Sequence, residues 1–384
     1  MTKDFLDENG VVIVGAYRTP IGKAKKGKLA GFKNDLLISE VIKGALDKIN
    51  LNPNLIDEVV FGHCLSPLNG TTSLRIGALR AGLSSKIPVS TVNRQCASGL
   101  EAMSILVNKI RLDQIEIGLG GGFESMTGYS YGICDTSCLY NDPNIIKDCT
   151  LPMGETAEIL AHKHKIPRSK CDVYAFKSHN RAIEAQKSGK FESEIVGIKS
   201  DEGELILEDD CLRPTTLPGL KSLKPAFRAE GVCTAGNSSQ LADGASTVLL
   251  MKRKKAESLG LEIKGVVVDY VVIGVEPRVM GEGPVPAIRL ILEKNNLKIN
   301  DVSYFEINEA FSSQVVFCIE ELGIDYSKVN VYGGSIALGH PLGSTGTRLV
   351  CTLLNVMEKE GLKGYGVVSL CVGTGFGVAM LIKK

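Results

Sequence analysis

Thr91-Val92-Asn93-Arg94-Gln95-Cys96-Ala97-Ser98-Gly99-Leu100 changes its periodicity part-way along, and that change decides the fold. Before it, Pro88–Val92 is a short extended run opened by proline. After Cys96 the apolar residues Leu100, Met103, Val107 and Ile110 recur at helical spacing. Cys96 is therefore predicted in the turn between a buried strand end and a helix N-terminus. Such a terminus carries roughly half a positive charge, which favours thiolate over thiol. Ser98 and Gly99 leave room for another group to approach the sulfur. An unbridged cysteine is most often a small buried hydrophobe, so a nucleophile here needs partners elsewhere in the chain.

The same alternation extends outward. Val11–Gly15, Val59–Phe61 and Ile115–Leu119, the last running into Gly120-Gly121-Gly122, read as strands; Asp35–Ile49 and about 73–81 read as helices. From about Gly265 the order returns, with strands at Val266–Val272, Val302–Ile307 and Val329–Tyr332 and helices at Pro286–Asn295 and about 344–360. Asn308 reads as the N-cap of a helix carrying Phe311, Val315, Ile319 and Leu322 and closed by Gly323. Two apolar runs, Tyr365–Leu370 and Phe376–Ile382, end the chain. These elements predict an α/β protein of two duplicated βαβαβ-type halves, each with a parallel sheet and helices on its faces. Residues 127–234, rich in charge and proline with helical stretches near 153–165 and 170–188, read as an inserted subdomain. The expected division is 1–126 plus 235–263, then 127–234, then 264–384.

Composition narrows the function. The 384 residues are 44% apolar and 23% charged, enough to bury a large core. A net charge of +1 supplies no general field for nucleic acid or an anionic membrane, so no nucleic-acid or membrane partner is expected. Eleven scattered cysteines without a secretory signal suit a reducing intracellular compartment. Cys134 and Cys138 lack a second pair at finger spacing, so no metal is expected.

A second segment, Gly333-Gly334-Ser335-Ile336-Ala337-Leu338-Gly339-His340-Pro341-Leu342-Gly343-Ser344-Thr345-Gly346, would occupy in the second half the place that Cys96 holds in the first. It has neither the Walker spacing nor the dinucleotide fingerprint. His340 is either a histidine satisfied in a turn or a base. Cys371, ahead of Gly373 and Gly375, is either a buried strand residue or the neighbour of backbone N–H groups able to hold an oxyanion. Capping by its carbonyl would leave the Asn308 amide free to hold a water. Two thiols, an imidazole and an amide together are the parts of acyl transfer through a thioester.

Five motifs make the resemblance explicit: Asn93-x-x-Cys96-x-Ser98-Gly99, Gly122-x-Glu124-Ser125-Met126, Asn308-Glu309-Ala310-Phe311, Gly339-His340-Pro341-x-Gly343 and Cys371-x-Gly373-x-Gly375-x-Gly377. The chain resembles the thiolase family over essentially its full length. That resemblance implies a five-layered α-β-α-β-α core and ping-pong cleavage of 3-ketoacyl-CoA by CoA. Cys96 would carry the acyl group, His340 activate it, and Cys371 handle the proton of acetyl-CoA. Asn308 with His340, and the N–H groups of Cys96 and Gly373, would form two oxyanion holes. Met153, Ala235, Ser239, Met280 and Phe311 would line the CoA and substrate site, with Lys177, Arg181, Lys221, Lys224 and Arg228 available for phosphates. CoA enters as substrate, no cofactor is implied, and a homodimer or homotetramer is expected.

Pro152 before Met153-Gly154, where biosynthetic members usually carry histidine, looks more like the degradative 3-ketoacyl-CoA thiolases of the peroxisomal type, as does Thr374. A biosynthetic acetyl-CoA acetyltransferase is the alternative enzyme, and a non-catalytic lipid-binding or scaffold protein the alternative of another class. The resemblance points to the peroxisome; Leu381-Ile382-Lys383-Lys384 is not the peroxisomal tripeptide, which leaves the cytoplasm as the other compartment. Ser344-Thr345, replacing the more usual Ala-Ser or Ala-Thr, is expected to leave the chemistry untouched.

Overall fold

Strands bury alternate side chains on opposite faces, and here the two faces enter different cores. The computed structural model describes residues 10–65, 70–128, 139, 142–200 and 202–384. Its longer strands are β1 (Val11–Arg18), β2 (Glu58–Gly62), β3 (Val89–Val92), β4 (Ile117–Ser125), β5 (Ala242–Lys252), β6 (Gly265–Gly274), β7 (Val302–Ile307), β8 (Tyr365–Val372) and β9 (Phe376–Lys383). The longer helices are α1 (Asn34–Ile49), α2 (Gly70–Arg80), α3 (Ser98–Arg111), α4 (Met153–Lys163), α5 (Arg168–Lys187), α6 (Pro284–Lys294), α7 (Ser312–Leu322) and α8 (Leu342–Lys359). One sheet runs β7-β8-β9-β6-β1-β5-β4-β2-β3.

Val12, Val14, Leu119 and Leu249 face α1 and α2, whereas Val11, Ile13, Val248 and Leu250 face α3 and α8. On the other side of α3 and α8 lie Val368, Leu370, Val378 and Met380; the opposite face of those strands, with Val367, Ala379 and Leu381, packs on α6 and α7. The layers are therefore α, β, α, β, α. Helix α8 is at the centre, and every residue from Leu342 to Met357 is buried. A helix buried all round must be apolar or hydrogen-bonded on every side. Truncating Leu353 there to alanine should cost about 2–5 kcal/mol.

The duplication is visible in strand order. In the first half β1 pairs antiparallel with β5, β5 antiparallel with β4, β4 parallel with β2, and β2 parallel with β3. In the second, β6 pairs antiparallel with β9, β9 antiparallel with β8, and β8 parallel with β7. The halves join where Val12 and Ile13 of β1 pair antiparallel with Val266 and Gly265 of β6.

Three expectations need correction. Each half-sheet is mixed rather than parallel, because β5 and β9 run against their neighbours. Val329–Tyr332 is not a strand: only Val329 bridges to Phe305, in the place β3 holds in the first half. The strand before Gly120 does not stop there but continues to Ser125. Gly122 is needed because the other half passes so close. A Cβ on Gly122 would lie 1.9 Å from the Gly343 carbonyl oxygen.

Between β4 and β5 the chain carries α4 and α5, whose Leu160, Cys171, Tyr174 and Ala175 join the core of α6 and α7. Arg18 at the end of β1 fastens the same segment through Glu194 (2.5 Å) and Asp209 (2.7 Å), all buried. Cys134 and Cys138 lie outside the described residues. The nine described cysteines are free thiols. Among the described residues no helix is long and apolar enough to cross a membrane.

Candidate active site

Cys96 stands, as predicted, between the end of β3 and the start of α3. Local polar contacts shape the loop: Asn93 Oδ1 accepts from the Gln95 N–H (2.9 Å), and Ser98 Oγ accepts from Arg94 N–H (2.9 Å) and donates to the Gln95 carbonyl (2.6 Å). Gln95 is held at φ 46°, in the left-handed region, and Arg94 is anchored by Glu101 at 2.6 Å. The Cys96 sulfur is half-buried and faces the backbone N–H of Gly373 as well as its own. Its thiol is nevertheless pushed up to about 11, by burial first, with the two N–H groups pulling down and Glu124 adding to the rise. The two N–H groups thus favour thiolate, as a helix start should, but loss of solvent outweighs them.

His340 follows Gly339, which adopts φ 97°, and is buried at the mouth of α8. Its Nδ1 lies 2.7 Å from Thr345 Oγ1, and Thr345 donates its own proton to the Pro341 carbonyl at 2.9 Å. Nδ1 must therefore donate, which leaves Nε2 as the lone-pair nitrogen. Burial first, and then the charge of Arg348, hold the imidazole down to about 3, so it is neutral at physiological pH. Nε2 meets Asn308 Nδ2 at 3.2 Å.

Asn308 is not a helix cap. The chain is not helical from Asn308 to Phe311, which is extended (φ −145°, ψ 145°) and bridges to Ser238, and α7 begins only at Ser312. Asn308 Oδ1 accepts from Ser335 Oγ (2.6 Å), and its amide nitrogen points at His340. The amide is free of capping, as its proposed role requires, but for a different reason from the one the sequence suggested.

Cys371 is buried at the end of β8 in a cluster with Met280, Phe311, Ala310, Ala157 and Cys233, and Met153 packs against it. Its thiol is pushed well above the usual value by burial first, then by the neighbouring Cys96. Met153 Sδ would stand 3.4 Å from a Cβ on Gly373. Four of the residues expected at the site (Met153, Met280, Phe311 and Gly373) therefore surround the two cysteines. Ser239 is half-buried, its N–H bonded to the Ala310 carbonyl at 3.0 Å; Ala235 is exposed, its carbonyl held by Arg213. Of the cations, Arg181 is taken up by the Val329 and Tyr326 carbonyls, whereas Lys177 is exposed and lies over the Tyr326 ring. Arg228 pairs with Glu155. Lys221 and Lys224 are exposed.

Sequence reasoning missed the groups behind these residues. Thr345, dismissed above as a neutral departure, fixes the histidine tautomer. Glu124, buried, accepts from the N–H groups of Cys64 (3.1 Å), Leu65 (3.2 Å) and Gly343 (3.0 Å), clamping the Cys96 side of the site to the glycine turn. Glu309 does the same for the turn before His340, accepting from Tyr174, Ser178, Asn330 and the Ile336 N–H. Both acids stand inside motifs quoted above, Gly122-x-Glu124-Ser125-Met126 and Asn308-Glu309-Ala310-Phe311, but nothing local shows which backbone groups they clamp.

The Cys96 thiol thus lies by Cys371 and the Gly373 N–H, the neutral His340 imidazole lies by the Asn308 amide, and the two halves touch where Gly122 meets Gly343. Models of the thiolase N-terminal and C-terminal domains match residues 11–254 and 261–384. The chain belongs to the thiolase family. Among thiolases, it is 48% identical over 388 residues to the peroxisomal 3-ketoacyl-CoA thiolase of Encephalitozoon cuniculi, covering 99% of this chain and 97% of that one. The crystal structure of the dimeric peroxisomal thiolase of Saccharomyces cerevisiae superposes with a TM-score of 0.94 at 40% identity, covering 98% of each chain. Bacillus anthracis acetyl-CoA acetyltransferase superposes with a TM-score of 0.89 at 36% identity over 97% of this chain and 98% of the other. The thiolase fold inferred from the five motifs is therefore the fold of this chain.

Proposed function

We propose that this thiolase cleaves 3-ketoacyl-CoA with CoA, giving acetyl-CoA and an acyl-CoA two carbons shorter. The observation that carries this reading is the meeting of the Cys96 sulfur with the Gly373 N–H while Cys371, two residues earlier, is buried beside it. His340 Nε2 removes the Cys96 proton as the sulfur attacks the 3-keto carbon. With the thiol raised to about 11 and the imidazole held down to about 3, the thiol does not ionise beforehand, so deprotonation and attack go together. The bond between carbons 2 and 3 breaks, leaving the acyl group on Cys96 and the acetyl-CoA enolate. The Cys371 thiol, kept protonated by its raised pKa, gives its proton to carbon 2. CoA then returns a proton to Cys371, its sulfur takes the acyl group from Cys96, and His340 gives its proton back to the departing Cys96 sulfur. The oxygen of each tetrahedral intermediate faces either the Cys96 and Gly373 N–H groups or the Asn308–His340 pair.

Met153, Met280 and Phe311 supply an apolar wall for the acyl chain and pantetheine, while Ala235 and Ser239 edge the entrance. The scheme is thioester exchange with proton transfer, for which CoA is a substrate and no separate cofactor is needed. Pro152 at the N-cap of α4 and the peroxisomal names of relatives support the degradative direction and a peroxisomal compartment. The yeast structure, named as dimeric, supports a homodimer.

Thiolysis measured on four-carbon against longer 3-ketoacyl-CoA tests the reading. Cleavage of the longer chains is expected; cleavage confined to acetoacetyl-CoA would favour the biosynthetic alternative, which the Bacillus anthracis similarity keeps in view.

A further inference from the structure

Behind Asn308 runs a line of buried side chains that the scheme above does not use. Arg348, on α8, is 1% exposed, and its Nη2 lies 2.8 Å from Ser335 Oγ. Ser335 opens a single helical turn, Ser335–Leu338, and its Oγ lies 2.6 Å from Asn308 Oδ1. From Asn308 the line passes to His340 Nε2, then from Nδ1 to Thr345 Oγ1, and ends on the Pro341 carbonyl. One end is a guanidinium, which can only donate; the other is a carbonyl, which can only accept.

We propose that Arg348, acting through Ser335, is a positioning residue for Asn308 and His340 because it sets the direction of this whole line. With Arg348 donating, Ser335 accepts from it and gives its proton to Asn308 Oδ1. The amide nitrogen of Asn308 must then face His340, and His340 must present a lone pair at Nε2. Turning the Asn308 amide round would place its nitrogen on Ser335 and leave the Ser335 proton without an acceptor among the described residues. A buried polar hydrogen without a partner is costly, so the reverse orientation is disfavoured. The same guanidinium carries charge close to the site. The neighbouring Glu306 Oε2 is 4.0 Å from Arg348 Nη1, and burial raises that carboxyl to about 8; Glu194 and Glu309 also act on the guanidinium. This inference rests on the proposed thiolase reaction, in which the Asn308 amide and His340 face the reacting oxygen.

The test is a double-mutant cycle on thiolysis. Ser335→Ala should lower kcat by about tenfold to a hundredfold, the scale seen for removal of outer-shell partners, with KM for CoA changed by less than about twofold. In an Asn308→Ala background the same change should cost less than about twofold further, because the residue it acts through is already gone. Arg348→Lys, which keeps a donor and the charge, should retain more kcat than Arg348→Met, and thermal unfolding would separate that loss from misfolding. Equal fold-losses for Ser335→Ala in both backgrounds, or equal kcat for the folded lysine and methionine variants, would overturn the relay while leaving the reaction in place. Absence of thiolysis by the unaltered chain would overturn the proposed reaction, and the relay with it.

Discussion

His340 Nδ1 and Thr345 Oγ1 are 2.7 Å apart, and because the threonine proton goes to Pro341 the histidine has one tautomer available to it. Thr345→Val keeps the shape and removes the hydroxyl. Loss of that contact should lower kcat by about tenfold to a hundredfold with little change in KM, and Thr345→Ser should restore most of it. Steady-state thiolysis of the two variants measures this; equal activity would show that packing alone holds the ring.

Cys96 alkylation should depend on pH in a definite direction. A thiol raised to about 11 is ionised at pH 7 to about one part in ten thousand, so thiolate gains about tenfold for each pH unit below that value. Iodoacetamide labelling of the Cys96 peptide, followed by mass spectrometry, should therefore climb from pH 7 to 9 without levelling. His340, neutral down to about 3, adds no inflection near 6.5. A plateau near neutrality would indicate a preformed thiolate.

Two glycine substitutions should part company. A Cβ at Gly122 would sit 1.9 Å from the Gly343 carbonyl oxygen, whereas one at Gly373 meets nothing nearer than Met153 Sδ at 3.4 Å. Gly122→Ala should lose about 3 kcal/mol or more, at the top of the range for overpacking. Gly373→Ala should stay within about 1 kcal/mol, since its contacts are ordinary van der Waals ones. Chemical denaturation of both variants decides it.

Glu124→Gln puts an amide N–H₂ against at least one of three backbone N–H groups. Leaving such a group unpaired should cost about 1–3 kcal/mol. The same change removes a negative charge that raises the Cys96 pKa, so alkylation at pH 7 should become faster although the fold is weaker. Faster labelling together with unaltered stability would contradict the clamp assigned to this carboxylate.

How much of this was legible beforehand follows from whether the information was local. The Cys96 turn could be read because the strand period ends at Val92 and the helical one starts within a few residues. β5 could not. Its first half, Ala242-Asp243-Gly244-Ala245-Ser246-Thr247, is small and polar, since Ser246 faces Ser344 of the glycine turn rather than an apolar core. Asn308 was misread because the bridge between Ser238 and Phe311 keeps the chain extended where local sequence favours a helix start. The cysteines, the histidine and the asparagine stand in recognisable motifs. Thr345, Ser335 and Arg348 owe their roles to contacts that join α8 to the turn before it and to Asn308, which no spacing encodes.

The central claim is that Cys96, and not Cys371, carries the acyl group. Brief incubation with a 3-ketoacyl-CoA in the absence of free CoA, acid quenching, and mass spectrometry of the digest test it most directly. The account predicts the mass of the shortened acyl group on the peptide holding Cys96, with release of one acetyl-CoA per site. Acyl label on Cys371 or any other cysteine, or acetyl-CoA release with no acylated peptide, would contradict it.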